Sequence, residues 1–407
     1  MDFAESSKYL LSLGNEVSSM KLGLENIKAL LATLDDPQNK YLKVQIAGTN
    51  GKGSVCAFLD SICTTAGIKT GRFTSPHLVS ITERIRIGGI EITENDFARQ
   101  ASKVREAGES LVRESRLGSI PTFFEQITAI ALSVFAEERI ELAILETGLG
   151  GRLDATTAAN AEIVAITAID YDHQEYLGET LGEIAAEKAA IIMPNTKVVA
   201  ARQRREAEEV IIKRCREVGV EPDFADDVDS NVSLGLLGKH QRQNAAVAVG
   251  LVSKLRELNW SISDHDVRSG LETARHPGRL EYLGNVLFDG AHNVAGASAL
   301  REYLDEFIDQ PVTLIFGAMK GKNVREIADI LFPAARQVIL TKPENSRALE
   351  TAELLAMTTG VASGQAILTN SVAEALETAR KISGADGLIC VTGSLYLVGE
   401  AKKILNN

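Results

Sequence analysis

Cysteine is scarce in this chain. Cys56, Cys63, Cys215 and Cys390 are the only four in 407 residues, and no two form a CxxC pair. That spacing argues against a zinc site, and a chain of this size does not rely on a disulfide framework. Reduced thiols in a cytoplasmic protein are expected. Long apolar runs are also missing. None reaches the roughly 18 residues of a membrane span, and the N-terminus, MDFAESSKYLLSLG, lacks the apolar core of a signal peptide. No membrane partner is expected. Basic runs are absent too, and the net charge is −12, so the chain lacks the cationic surface that displaces counterions from nucleic acid. An acidic whole still leaves room for a local positive pocket. There is no internal repeat and no low-complexity tract.

What the chain does contain is alternation. Its length exceeds what one hydrophobic core usually serves, which points to two domains. The first forty residues read as helices, with an apolar stripe at Phe3, Tyr9, Leu10 and Leu13 and another from Leu24 to Leu34. Strand-type runs follow at Tyr41 to Ala47, Glu141 to Glu146, Glu162 to Ile169 and Lys197 to Ala201. Helical segments lie between them at Ser54 to Ala66, Gln126 to Glu138 and Leu181 to Ile191, with a further helical stretch from Leu237 to Leu258. Strands alternating with helices imply a mostly parallel sheet. His276-Pro277-Gly278-Arg279 breaks the pattern, and strands resume at Asn285 to Phe288, Val312 to Phe316, Gln337 to Leu340 and Gly387 to Thr392. The fold class expected is α/β: a P-loop nucleotide-binding domain over 1–275, a linker at 276–282, and a smaller Rossmann-like α/β domain over 283–407.

Between the first strand and its helix lies Ala47-Gly48-Thr49-Asn50-Gly51-Lys52-Gly53-Ser54. It departs from the GxxxxGK[ST] pattern, because Ile46 stands where the first glycine would be and Gly53 separates lysine from serine. The physics still suits a phosphate. Glycines let backbone N–H groups point inward at phosphate oxygens, and the helix that follows presents its N-terminus to the anion. Lys52 adds charge near the outer phosphates, and Ser54 offers a hydroxyl to Mg²⁺.

Several further blocks occur in a fixed order: Thr74-Ser75-Pro76-His77-Leu78, Glu83-Arg84-Ile85, the stretch from Glu146 to Ala155 (ETGLGGRLDA), and Asp289-Gly290-Ala291-His292-Asn293. With the GTNGKGS loop they resemble the folylpolyglutamate synthase family, including the bifunctional dihydrofolate synthase/folylpolyglutamate synthases, within the Mur ligase superfamily. The resemblance runs from about residue 22 to residue 400. Ile81 departs from an aromatic residue common before the Glu-Arg pair, and Val294 replaces a proline after the DGAHN block.

Some residues carry a chemical reading of their own. Glu146 ends an apolar strand, where a carboxylate suits a hard cation. Asn244 lies among small alanines, and its amide can pair with adenine. Alone, His173 reads as solvated, Ser75 as a turn serine before proline and Lys188 as a surface lysine. The resemblance adds roles. It implies ATP contacts at Gly48, Thr49, Asn50, Gly51, Lys52, Gly53, Ser54, Asn244, Arg279 and Asp289. It implies metal ligation, with two Mg²⁺ ions, at Ser54, Ser75, Glu146, His173 and a carbamylated Lys188. His292 is implied near the acyl phosphate and the amino-acid site, beside Lys52 and Lys188 as catalytic residues. Leu22, Gly23, Leu24, Phe123, Phe124, Glu125, Gly151, Arg152 and Leu153 are implied for the pterin substrate, although paired phenylalanines are more often core.

The activity implied is ATP-dependent amide formation between dihydropteroate or tetrahydrofolate and L-glutamate, by a cytoplasmic monomer. Two other readings stay open. One is a peptidoglycan-precursor ligase, although only about 45 residues precede the loop, too few for the extra nucleotide-sugar domain of such enzymes. The other is an ATP-binding protein without turnover.

Overall fold

The computed structural model describes residues 1–14, 23–361, 366–384 and 386–406. The chain divides into two compact units. The first comprises Met1–Ile169, Gln174–Gly235 and Gln243–Arg275, and the second comprises Asp170–His173, Leu236–Arg242 and His276–Asn407.

Among the described residues, the first unit is built on eight strands: β1 (Leu42–Ala47), β2 (Thr70–Phe73), β3 (Ile85–Ile87), β4 (Ile90–Glu91), β5 (Leu142–Glu146), β6 (Ile163–Ile166), β7 (Lys197–Ala201) and β8 (Pro222–Ala225). Their order is β4-β3-β2-β5-β1-β6-β7-β8. Only the β2–β3 and β3–β4 pairs are antiparallel. β5 and β6 are buried along their whole length. This explains why their sequences are continuous apolar runs rather than alternating ones: helices cover both faces. One core surrounds Phe73, Phe97, Ile130 and Phe135, and a second surrounds Val164, Ile184, Ile192 and Val198. Each fully buried side chain of this kind contributes about 1.5–3 kcal/mol.

The second unit holds β9 (Glu281–Leu283), β10 (Val286–Phe288), β11 (Val312–Phe316), β12 (Gln337–Leu340), β13 (Ile367–Leu368) and β14 (Leu388–Thr392), in the order β13-β12-β11-β14-β10-β9. All pairs are parallel except β9–β10. Its core is drawn from Leu287, Phe316, Ile327, Phe332 and Cys390.

Element boundaries differ from the sequence reading where local chemistry overrides periodicity. The helix expected from Ser54 starts at Lys52, because Gly51 turns the chain into it. The helix expected from Leu237 starts at Gln241, since Gly238 adopts φ 96° and forms a turn before it. The strand expected over Glu162 to Ile169 is hydrogen-bonded as sheet only over Ile163–Ile166. Glu281–Leu283, partly within the stretch read as linker, pairs with β10 through a tight turn at Gly284-Asn285.

Candidate active site

After β1 the chain turns through Gly48 (φ 150°) and Gly51 (φ 89°) into the helix Lys52–Thr65. Both dihedrals fall where glycine is at home and other residues are strained. Space is short as well. A Cβ on Gly48 would lie 1.9 Å from Thr167 Oγ1, and one on Gly51 would lie 2.2 Å from Asn244 Oδ1. The loop is therefore seated between the segment after β6 and the helix bearing Asn244, and Thr49 N and Asn50 N donate to Ala168 O at 2.9 and 3.1 Å.

Two lysines converge on this loop. Lys52 Nζ donates to the carbonyls of Gly48 and Thr49, at 3.1 and 3.2 Å. Lys188 Nζ donates to the same Gly48 carbonyl at 3.0 Å. The helix Lys52–Thr65 has no side-chain cap, so its first-turn amides add the positive end of the helix dipole. Ser54 lies in that turn and is buried. The two ammonium groups and the helix N-terminus bring positive charge to this loop, which suits an anion such as a phosphate.

Next to it is an acidic strand end. Ile46 and Glu146 are register partners in the β1–β5 ladder, so the Glu146 carboxylate emerges one strand away from the loop. In an open α/β sheet this carboxyl edge is where ligands bind. Glu146 is buried and accepts a hydrogen bond from Ser75 N at 3.0 Å, with Ser75 following β2. Burial, then the charge of Glu146, pushes the nearby Cys56 thiol well up. Ser54, Ser75 and Glu146 are hard oxygen donors of the kind Mg²⁺ prefers. Among the described residues, no group of three or more His, Cys, Asp or Glu could hold a metal ion. A cation beside Glu146 would thus need hydroxyl, water and ligand oxygens to complete its shell.

The second unit carries its own polar cluster. Asp289, buried at the end of β10, accepts from Leu280 N at 3.0 Å and Ala291 N at 2.9 Å. Burial raises its carboxyl, opposed by Arg279 and these two amides. His292 Nδ1 lies 2.7 Å from Gly290 O. A carbonyl can only accept, so Nδ1 carries the proton and Nε2 keeps its lone pair. Burial, reinforced by Lys322, pushes His292 down to about 4, and the imidazole is neutral at pH 7. The carboxylate of Asp172 lies among Lys322 Nζ at 2.5 Å, Asn293 Nδ2 at 3.1 Å and His292 Nε2 at 3.7 Å. Desolvation works against this carboxylate, but Lys322, His292 and His173 outweigh it and hold Asp172 below the usual range.

The same two-part organisation appears in known proteins. Residues 46–217 match the model of the Mur ligase middle domain, and residues 279–404 match that of the dihydrofolate synthetase C-terminal domain. A dihydrofolate synthase/folylpolyglutamate synthase of Bacillus subtilis is 32% identical over 95% of this chain and 95% of its own length. The chain belongs to the folylpolyglutamate synthase/dihydrofolate synthase family. A probable bifunctional folylpolyglutamate synthase/dihydropteroate synthase of Haloferax volcanii is 34% identical over 99% of the chain, which spans only 50% of that longer protein. A Mycobacterium tuberculosis folylpolyglutamate synthase structure, complexed with ADP and AMPPCP, superposes with a TM-score of 0.92 at 29% identity, covering 100% of this chain and 99% of the other.

For a folylpolyglutamate synthase family member, the positions singled out in the sequence are distributed unevenly. Lys188 is not the surface lysine its local sequence suggests. It is buried on the inner face of the helix Leu181–Ala189. Gly151 lets the ETGLGGRLDA loop approach that helix, since a Cβ there would lie 2.8 Å from Glu187 O. Arg152 N donates to that same carbonyl, while its exposed side chain pairs with Glu187 at 2.9 Å. Leu153 is half-buried. Phe123 and Phe124 are core side chains, packed under the Arg84 guanidinium and against Phe73 respectively. Glu125 is taken up as the capping-box carboxylate on Thr122 N, at 2.7 Å. Gly23 (φ 136°) and Leu24 precede the helix Glu25–Thr33, and Leu22 lies outside the described residues.

His173 (φ 53°) falls in the segment 170–173 of the second unit, whereas Ser54, Ser75, Glu146 and Lys188 are in the first. Asp172 and Lys322 were not singled out from sequence. The available signal for Lys322 was its position in Lys320-Gly321-Lys322-Asn323, a glycine-containing loop shortly after the buried strand β11.

Proposed function

We propose that the protein is an ATP-dependent ligase that forms an amide bond between the carboxylate of dihydropteroate or tetrahydrofolate and the amine of L-glutamate, through an acyl phosphate. The observation that carries this reading is the seating of Lys52 on the Gly48 and Thr49 carbonyls at the start of the helix Lys52–Thr65, one strand from Glu146. That arrangement suits a triphosphate held by backbone amides and a lysine while its charge is spread at the moment of transfer.

In this reading the loop Gly48–Ser54 and Lys52 bind and orient the phosphates, and Asn244, against Gly51, contacts the nucleotide base. Arg279 and Asp289 of the second unit are nucleotide contacts only as the family resemblance implies them. Ser54, Ser75 and Glu146 would hold Mg²⁺, which neutralises phosphate charge when bound; His173 is a further metal ligand only as the family resemblance implies it. A second ion is proposed at a carbamylated Lys188, whose carbamate would offer anionic oxygens in place of an ammonium. His292 is proposed beside the acyl phosphate and the amino-acid site, where its Nδ1 bond to Gly290 O leaves the Nε2 lone pair free to accept a hydrogen bond. Pterin recognition is assigned to Gly23, Leu24, Gly151, Arg152 and Leu153. Phe123, Phe124 and Glu125, implied with them by the resemblance, are buried. The enzyme so proposed is a cytoplasmic monomer, and light scattering tests its mass in solution.

The deciding measurement is ADP release by the purified chain given ATP, Mg²⁺ and L-glutamate, with dihydropteroate or tetrahydrofolate in separate reactions. Release that depends on both the pteridine acid and glutamate is expected. Absence of release with either acid would overturn the proposal.

A further inference from the structure

The phosphate loop leans on a short segment, Thr167-Ala168-Ile169, that continues past the end of β6. On one flank Ala168 O receives both Thr49 N and Asn50 N, at 2.9 and 3.1 Å. Thr167 adds its hydroxyl to Asn50 O at 2.7 Å and its amide to Ala47 O at 2.8 Å. On the other flank the sheet has run out. β6 and β7 pair in parallel as far as Ile166 and Ala200, and β7 ends at Ala201.

The side chain of Gln203 takes over there. Its Nε2 donates to Thr167 O at 3.0 Å, and its Oε1 accepts from Ile169 N at 3.0 Å. In a parallel ladder, one residue bonds the carbonyl before and the amide after the residue it faces. The Gln203 carboxamide reproduces that pattern around Ala168, standing in for a peptide group of the missing strand. Without it, the segment that carries the loop would be held from one side only.

We infer that Gln203 is a positioning residue for nucleotide binding: it extends the sheet by one peptide unit and so aims the Ala168 carbonyl at the amides of Thr49 and Asn50. This rests on the reading of the Gly48–Ser54 loop as the nucleotide site. Gln203 is only half-buried, so its removal leaves both cores intact.

Amide hydrogen exchange and ADP titration of the full chain, wild type against Gln203→Ala, test it. Exchange at Thr49 and Asn50 is expected to rise about tenfold in the variant while β1 amides keep their protection. The dissociation constant for Mg–ADP is expected to rise about tenfold. Arg202→Ala, which removes a surface pair with Asp226, is the neighbouring control and is expected to change neither. Should Gln203→Ala not fold, the isosteric Gln203→Glu replaces it, keeping the acceptor for Ile169 N and losing the donor to Thr167 O. Unchanged exchange at Thr49 and Asn50, or a rise spread evenly over the sheet, overturns the inference. A wild-type chain that binds no ADP would instead sink the nucleotide-site reading, and the exchange comparison would still decide the role of Gln203.

Discussion

Lys188 donates its ammonium to the carbonyl of Gly48, 140 residues earlier in the chain. That single bond joins the helix Leu181–Ala189 to the phosphate loop. As an ammonium, Lys188 is a cation bonded to the loop, whereas the carbamate proposed above would put an anion in its place.

Replacing Lys188 distinguishes them. Lys188→Met is expected to lower the rate of ADP release at least about 100-fold, as loss of one charge-stabilising group in a buried site typically does. Lys188→Arg keeps the charge and cannot form the carbamate, and the same loss is expected. Near-normal turnover by Lys188→Arg would remove the carbamate from the mechanism and leave the ammonium in place.

Gly51→Ala is expected to cost at least about 1 kcal/mol of stability for a left-handed backbone alone. The new Cβ would also meet Asn244 Oδ1 2.2 Å away, so one of the two must move. Urea unfolding monitors the first effect, and weaker ADP binding the second. An unchanged unfolding midpoint would show that the turn relaxes freely.

Asp172→Asn keeps the shape of the side chain and removes its charge. Lys322 and Asp172 are both largely buried, at 11% and 9% side-chain exposure, so the lysine would be left without its counter-charge. Removal of one partner from such a pair costs about 3–5 kcal/mol. Chemical denaturation followed by a probe in the second unit should show that loss, and the double variant Asp172→Asn, Lys322→Met should recover much of it.

Stability is expected to fall in mild acid. Partial burial, reinforced by neighbouring cations, pushes His77 down to about 3 and His292 to about 4, from an ordinary value of 6.5. The folded state therefore keeps these imidazoles neutral, while the unfolded chain binds protons below pH 6.5. The unfolded state gains on acidification through that window, so the unfolding free energy decreases as pH drops from about 6.5 to 4. Thermal unfolding across pH 4 to 7 checks this, and a flat profile would contradict neutral imidazoles in the folded state.

Much of this was legible in the residues. β5 and β6 announce themselves because strands covered on both faces need apolar residues at every position. The phosphate loop stands out because glycine alone tolerates its dihedrals and Lys52 follows at once. Glu146 is marked by its place at the end of an apolar run. The local sequence of Lys188, between Glu187 and Ala189, suggests an exposed helix position although the side chain is buried, because a helix does not state which of its faces is covered.

Local pattern thus carries the elements and the anion loop, because backbone conformation and side-chain periodicity are short-range properties of the chain. It is silent on pairings across large separations. Gln203 meeting Thr167 and Ile169, Lys188 meeting Gly48, and Lys322 meeting Asp172 each join residues more than thirty positions apart. Those meetings follow from the order in which strands assemble and the direction each strand end faces, and no short window of sequence contains that information.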